Sequence, residues 1–405
     1  MLGLLKAMAT TSGAGVVTIL FGLFTTKVVA LVLGPAGVGL LASYRQVHDM
    51  AAGMGILGGG GGQVQALSST EGEARRRRVI ASIWLSIVGA AIMAVVLLAG
   101  AEPIARHFFH DPSPNVVAGI RLLPLAVSLT IAVVTLQGLL NVSRAIGRLA
   151  LTQVAGAATL TALAWPLAQW AGGGSQPAFV VIVAVPALVQ FGLVVIVARR
   201  LGWGGDVWAA LRSLPSRADV AYFTRYFVTG IGATLSATIV FFTLRSLLVE
   251  RTGQEGHGLF QAAWALSLQA IGLLVSAFGT YYLPVMSAAV GDDVLRRKTM
   301  NDAVELIILV TLIPIVVGLA FQPLILGLLY SDAFTPAVDM LRWLLIANYA
   351  RTIQALIFNT LMAVGRPRPL LVLEIAWNLL FFAVGLLAMS DVAPTWMRGA
   401  EGHRR

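Results

Sequence analysis

Eleven stretches of this chain run for about twenty residues or more with few charges, and that leaves few folds open. A helix of about twenty apolar residues spans the hydrocarbon core of a bilayer. Inside lipid, every backbone N–H and C=O must be bonded within the structure, so only helices and closed barrels cross. Barrel strands are short and alternate in polarity, which these continuous runs do not. Spans are expected at 7–33, 38–67, 78–101, 116–141, 149–170, 178–198, 221–249, 257–289, 301–329, 335–363 and 369–389. The fold class is therefore all-α, a polytopic membrane protein. At 58% apolar and 11% charged residues, with mean hydropathy +0.85, the chain is neither disordered nor a soluble enzyme. With no cysteine it has no disulfide, thiolate metal site or Cys nucleophile.

Basic residues set the topology. Sixteen of them, among them Lys6, Arg75 to Arg78, Arg148, Arg199, Arg200, Arg296, Arg297 and Lys298, fall on alternate connections. The opposite connections carry only Arg106 and Arg251. By the positive-inside rule the crowded side is cytoplasmic, and so is the N-terminus. The +10 charge is a topology signal, and no nucleic-acid partner is expected. The first apolar run is too long for a signal-peptide core and lacks a small-x-small site, so it is expected to be retained.

The two halves repeat at an offset of about 220 residues. Lys27 aligns with Arg245, Gly39-Leu40 with Gly258-Leu259, and Glu102-Pro103 with Gln322-Pro323. Arg121 aligns with Arg342, and Ala145-Ile146-Gly147-Arg148 with Ala363-Val364-Gly365-Arg366. Such a repeat implies two six-helix bundles related by a pseudo-two-fold axis along the membrane normal. The expected divisions are an N-terminal bundle at 1–199, a cytoplasmic linker at 200–220, a C-terminal bundle at 221–389 and a polar tail at 390–405. The linker holds Trp203 and Trp208 and suits an interfacial amphipathic helix. The repeat calls for a twelfth span near 397, where the tail instead carries Arg398, Arg404 and Arg405. The last helix is expected to be missing or replaced.

Seven basic residues lie within spans: Lys27, Arg45, Arg121, Arg225, Arg245, Arg342 and Arg351. A central charge costs about 2.5–3.5 kcal/mol on insertion scales, so lipid-facing positions are disfavoured. Arg121, Arg225 and Arg342 lie near helix ends and can snorkel. Lys27, Arg45, Arg245 and Arg351 lie deeper, and Asp49, at i+4, is placed to pair with Arg45. Only Asp49, Glu305 and Glu374 offset them within spans, so a cavity lined by these residues would be net positive and would suit an anionic group. Amides such as Gln46, Gln137, Gln261, Asn348 and Gln354 offer hydrogen bonds to sugars or between helices. Gly58 to Gly62 can pack tightly or act as a hinge. No Walker box is present, and the five histidines show no metal spacing; His107, His110 and Asp111 read as an outer loop. Neither cofactor nor metal is expected.

The run Gly34-Pro35-Ala36-Gly37-Val38-Gly39, followed by Tyr44-Arg45-Gln46, resembles the Wzx-type polysaccharide repeat-unit flippases. These belong to the multidrug/oligosaccharidyl-lipid/polysaccharide exporter superfamily. Lys27 seven residues before Gly34-Pro35, Gly258-Leu259-Phe260-Gln261, and Tyr282-Leu283-Pro284 before Ser287 fit the same pattern. The resemblance covers about residues 1–389 and departs after Leu387. It implies twelve helices in two bundles around a central cavity. It also implies a non-enzymatic transporter of the bacterial inner membrane, acting in O-antigen or enterobacterial common antigen assembly. The substrate would be an undecaprenyl-diphosphate-linked oligosaccharide, moved from the cytoplasmic to the periplasmic leaflet by alternating access. Membrane lipid and polysaccharide polymerase or assembly proteins are the other expected partners. The candidate substrate-binding residues are Lys27, Arg45, Asp49, Arg245, Gln261 and Arg351. Two alternatives stand beside this: a drug/cation antiporter of the same superfamily, and a non-transporting scaffold for glycan assembly.

Overall fold

The computed structural model describes residues 2–56, 67, 72–142, 146–200, 212–288, 292–363 and 367–389. Almost all of these are helical, and none of them lies in a strand. The Gly58–Gly62 run, Trp203 and Trp208, and the tail from 390 fall outside the described residues.

The first helix, α1 (Leu2–Gly55), is broken at Gly34, with φ 63° and ψ −171°. Only glycine adopts this backbone readily, because a Cβ would clash with the neighbouring peptide. Pro35 then opens the second segment, where its missing N–H is harmless and its fixed φ suits a helix start. Then come α2 (Gly72–Ala99), a short α3 (Ala101–Ile104) that runs into a π-helical turn (Ala105–Phe109), and α4 (Pro114–Val142). Two more helices, α5 (Ile146–Gly172) and α6 (Gln176–Arg200), follow.

The pattern then recurs. Helix α7 (Arg217–Ala288) is broken at Gly253, with φ 68° and ψ −174°, nearly the backbone of Gly34. After it come α8 (Asp293–Ala320), a short α9 (Gln322–Leu329), a 3₁₀ turn (Asp332–Phe334), α10 (Ala337–Ala363) and α11 (Pro367–Met389). Asp292 caps α8, its carboxylate accepting from the N–H groups of Val294 and Leu295. A long helix, a short one, a tight turn and another long helix thus follow each break.

Where the expected spans fall on described residues they are almost wholly helical, with one correction; residues 57–66 of the second span lie outside the described residues. The run 301–329 is two helices, because α8 stops at Phe321 and Pro323 stands in the first turn of α9. A proline lacks the N–H that a continuous helix needs and is tolerated at a start. The region of His107 and His110, expected as a loop, is partly the π turn, with His110 left-handed at its end. Seven described helices are long and apolar enough to cross a membrane by length and composition. The chain is an all-α polytopic membrane bundle.

Two compact units are evident: Met1–Leu33 with Leu40–Thr234, and Gly34–Gly39 with Leu235–Arg405. In the first, α4 packs on α2 and α6, and α5 packs on α6. Ile120, Leu123, Val127 and Ile131 form the buried stripe of α4 at helical spacing, while Leu125 points away and is 68% exposed. The buried Tyr44 ring lies 4.8 Å from Phe109 and stacks on Phe179 at 5.8 Å. Its hydroxyl sits where a side chain at Gly119 would be. Hydroxyls and amides also join helices: Thr25 to Thr161 at 2.9 Å, and Gln137 to Gln190 at 2.9 Å.

In the second unit α10 packs on α8, α9 and α11. Tyr282, Met286, Ile307 and Leu356 form one buried cluster, and Phe241, Trp264 and Phe381 another of ring contacts at 5.0–5.7 Å. Gly39 and Gly258, the two matched glycines of the repeat, cross here backbone to backbone. A Cβ on Gly39 would meet the Gln254 carbonyl, and one on Gly258 the Pro35 carbonyl.

Candidate functional site

The six candidate residues divide evenly between the units. Lys27, Arg45 and Asp49 lie in the first, on α1; Arg245, Gln261 and Arg351 lie in the second, on α7 and α10.

In the first unit, Lys27 is half-buried and Arg45 exposed. Asp49 is bonded to its neighbour: its carboxylate is 2.8 Å from Nδ1 of His48. His48 is buried, and its Nε2 is 2.9 Å from the hydroxyl of Thr130 on α4. The imidazole therefore ties α1 to α4 and fixes the direction of the exposed Asp49. Sequence reasoning counted His48 only as one of several scattered histidines. The adjacent carboxylate was the available signal.

In the second unit, Arg245 is 8% exposed near the end of the first segment of α7. It lies within electrostatic reach of His257, which is fully buried and hydrogen-bonded to the backbone of Gly39. Gln261 stands four residues on from His257, hence on the same face of the helix. Its Oε1 is buried and has no hydrogen-bond partner among the described residues. A buried amide oxygen left unpaired is unfavourable by about 1–3 kcal/mol, so such a group is suited to a donor brought by a ligand or by water. The break at Gly253 thus stands between the Arg245 guanidinium and the His257 imidazole that it lies near, with the Gln261 amide one turn further along the second segment.

Arg351 is half-buried on α10, and its charge is opposed by Glu374 of α11. That carboxylate also accepts from Nε2 of Gln354 at 2.6 Å. Glu374 and Gln354 therefore hold α10 to α11, and Arg351 takes part in that link. Other amides join helices as well: Asn348 donates to the Ser267 hydroxyl at 2.8 Å, and Tyr282 meets Thr360 at 2.9 Å. Among the described residues, no group of three His, Asp or Glu side chains is placed to hold a metal ion.

No protein-family model matches the chain. It is 24% identical over 372 residues to the lipid III flippase of Escherichia coli (strain K12), covering 89% of this chain and 85% of the relative. The same figures hold for the lipid III flippase of Shigella flexneri. An inward-facing multidrug resistance MATE family transporter of the MOP superfamily superposes with a TM-score of 0.66 at 14% identity, over 96% of each chain. The fold is that of the MOP-superfamily transporters. A MOP-superfamily member from Pyrococcus furiosus, described as having a binding pocket of reverse polarity that suggests a different function, gives a TM-score of 0.69. It is 16% identical and covers 98% of this chain and 91% of its own. In sequence, then, the chain is similar to lipid III flippases; in fold, it is similar to the MOP-superfamily transporters.

Proposed function

We propose that the protein is a flippase that moves a polyprenyl-diphosphate-linked oligosaccharide from the cytoplasmic to the outer leaflet of a bacterial inner membrane. One observation carries the reading: a cation stands about two helical turns before each break, Lys27 seven residues before Gly34 and Arg245 eight residues before Gly253. The similarity to lipid III flippases across most of the chain supports it. The lipid tail of such a substrate can stay in the bilayer, but its diphosphate and sugars need a hydrated, cationic path. In this reading Lys27, Arg45 and Arg245 pair with the diphosphate, Gln261 supplies an acceptor for a sugar hydroxyl, and Asp49 and Arg351 adjust the field around them. Alternating access exposes the site to each leaflet in turn. An inside-negative potential of 100 mV favours outward movement by about 2.3 kcal/mol per negative charge. The N-terminus is cytoplasmic, and glycan polymerases act on the product.

The test is rescue of a flippase-null bacterium. The chain restores surface glycan, and Arg45→Ala abolishes rescue while membrane levels are unchanged. Retained rescue by that variant overturns the assignment. A second reading, a drug/cation antiporter, is favoured by the multidrug transporters that share the fold. Drug resistance conferred without glycan rescue would establish it. A scaffold would show neither, and loss of Arg45 would then alter stability rather than flux.

A further inference from the structure

The outer end of the first unit carries a cleft that none of the transport residues enters. It has a volume of about 510 Å³ and is lined by Glu102, Arg106, Pro114, Val117, Arg121 and Leu122, among others. Helix α2 starts with Arg75 to Arg78 and rises for 28 residues before the cleft begins at its far end. At 1.5 Å per residue that is about 40 Å, the thickness of a bilayer with its headgroups. The cleft therefore lies at the opposite membrane boundary from the arginine-rich ends. That side is poor in basic residues, yet two of its arginines meet here.

The backbone fixes where both arise. The π turn directs Arg106 outward while Ala105, Phe108 and Phe109 are buried behind it. Phe109 packs on Tyr44, whose hydroxyl is 3.1 Å from Oε1 of Gln176. Such single π turns recur at functional sites. Arg121 Nη2 is 3.4 Å from Oε1 of Glu102, a long contact between half-exposed groups. It leaves most of the five guanidinium donors available. The first turn of α4, the positive end of its dipole, closes the cleft. On the membrane side of these cations, Leu122 and Leu125 are 38% and 68% exposed. Donors for an anion thus stand directly above an apolar helix face.

We propose that this cleft binds the phosphate of an anionic lipid headgroup, with the acyl chains lying along Leu122 and Leu125. Arg106 and Arg121 take the phosphate oxygens as charge-assisted hydrogen bonds. Glu102 competes with the lipid for Arg121. This gives the two sides of one ion pair opposite effects on binding, which a structural role would not.

The test uses the full chain in detergent with phosphatidylglycerol as probe, its retention measured by native mass spectrometry. Phosphatidylglycerol is expected to be retained over phosphatidylcholine, and Arg106→Ala with Arg121→Ala to weaken it about tenfold. Glu102→Gln is expected to strengthen retention two- to threefold, and this arm stands even if the double variant folds poorly. Excess inorganic phosphate is expected to leave the lipid bound. Unchanged retention in the double variant, or an equal loss on Arg297→Ala in the other unit, would overturn the proposal. So would weaker retention in Glu102→Gln. Displacement by inorganic phosphate alone would assign the cleft to a free ion instead.

Discussion

The turn after α2 and the turn after α8 occupy the same place in the repeat but use different chemistry. In the first half, Glu102 is exposed and reaches across 19 residues to Arg121. In the second, its counterpart Gln322 is buried, and Arg342 faces Asp339 one turn back on its own helix, at 3.8 Å. The first turn is π-helical and ends in the left-handed His110; the second is a 3₁₀ turn whose buried Phe334 lies 4.8 Å from Tyr330 at the end of α9. Bulk is redistributed too. Tyr44 and Gly119 meet in the first half, whereas the matching positions hold Ala263 and Met340. The backbone frame is common to both halves, and the side chains filling it have diverged. Equivalence of position is therefore a sound guide to the breaks and a poor one to ion pairs and ligands.

Where the frame itself is shared, matched substitutions should do matched damage. Gly39→Ala and Gly258→Ala each place a methyl against a carbonyl that belongs to helix backbone and has little freedom to yield. Each is expected to destabilise by about 3 kcal/mol, at the upper end for overpacking. Melting in detergent measures it, and tolerance at only one of the two would break the equivalence. Gly34→Ala and Gly253→Ala have open space around the new methyl but force it into a backbone region closed to other residues. Losses of about 1–3 kcal/mol are expected, equal within error. At the diverged turns, Arg121→Ala and Arg342→Ala should each lower stability by less than about 1 kcal/mol, because both pairs are half-exposed. A larger loss at Arg121 alone would mean that its link across helices holds α4 in place.

Much of this frame is legible in the sequence. Run length gives the helices, and Gly34-Pro35 marks the first break because glycine and proline both interrupt helix in known ways. Glu250, Arg251 and Glu255 mark the second by charge alone. The start of α9 is hidden, since Gln322-Pro323 sits in an otherwise apolar run. The site was less visible. Lys27, Arg45, Arg245 and Arg351 stand out as charges in apolar helices, but what surrounds them is set by tertiary contact. Glu374 comes to Arg351 from the next helix, and His257 reaches Arg245 only because α7 breaks between them. Asp49 shows that helical spacing does not name every partner, as its carboxylate also meets the residue beside it, His48.

The breaks at Gly34 and Gly253 each join two apolar segments through one non-helical residue. No surface loop intervenes at either point. A protease working from that side has little to grip there, and an epitope tag or a fluorescent reporter inserted at either glycine would pry helices apart.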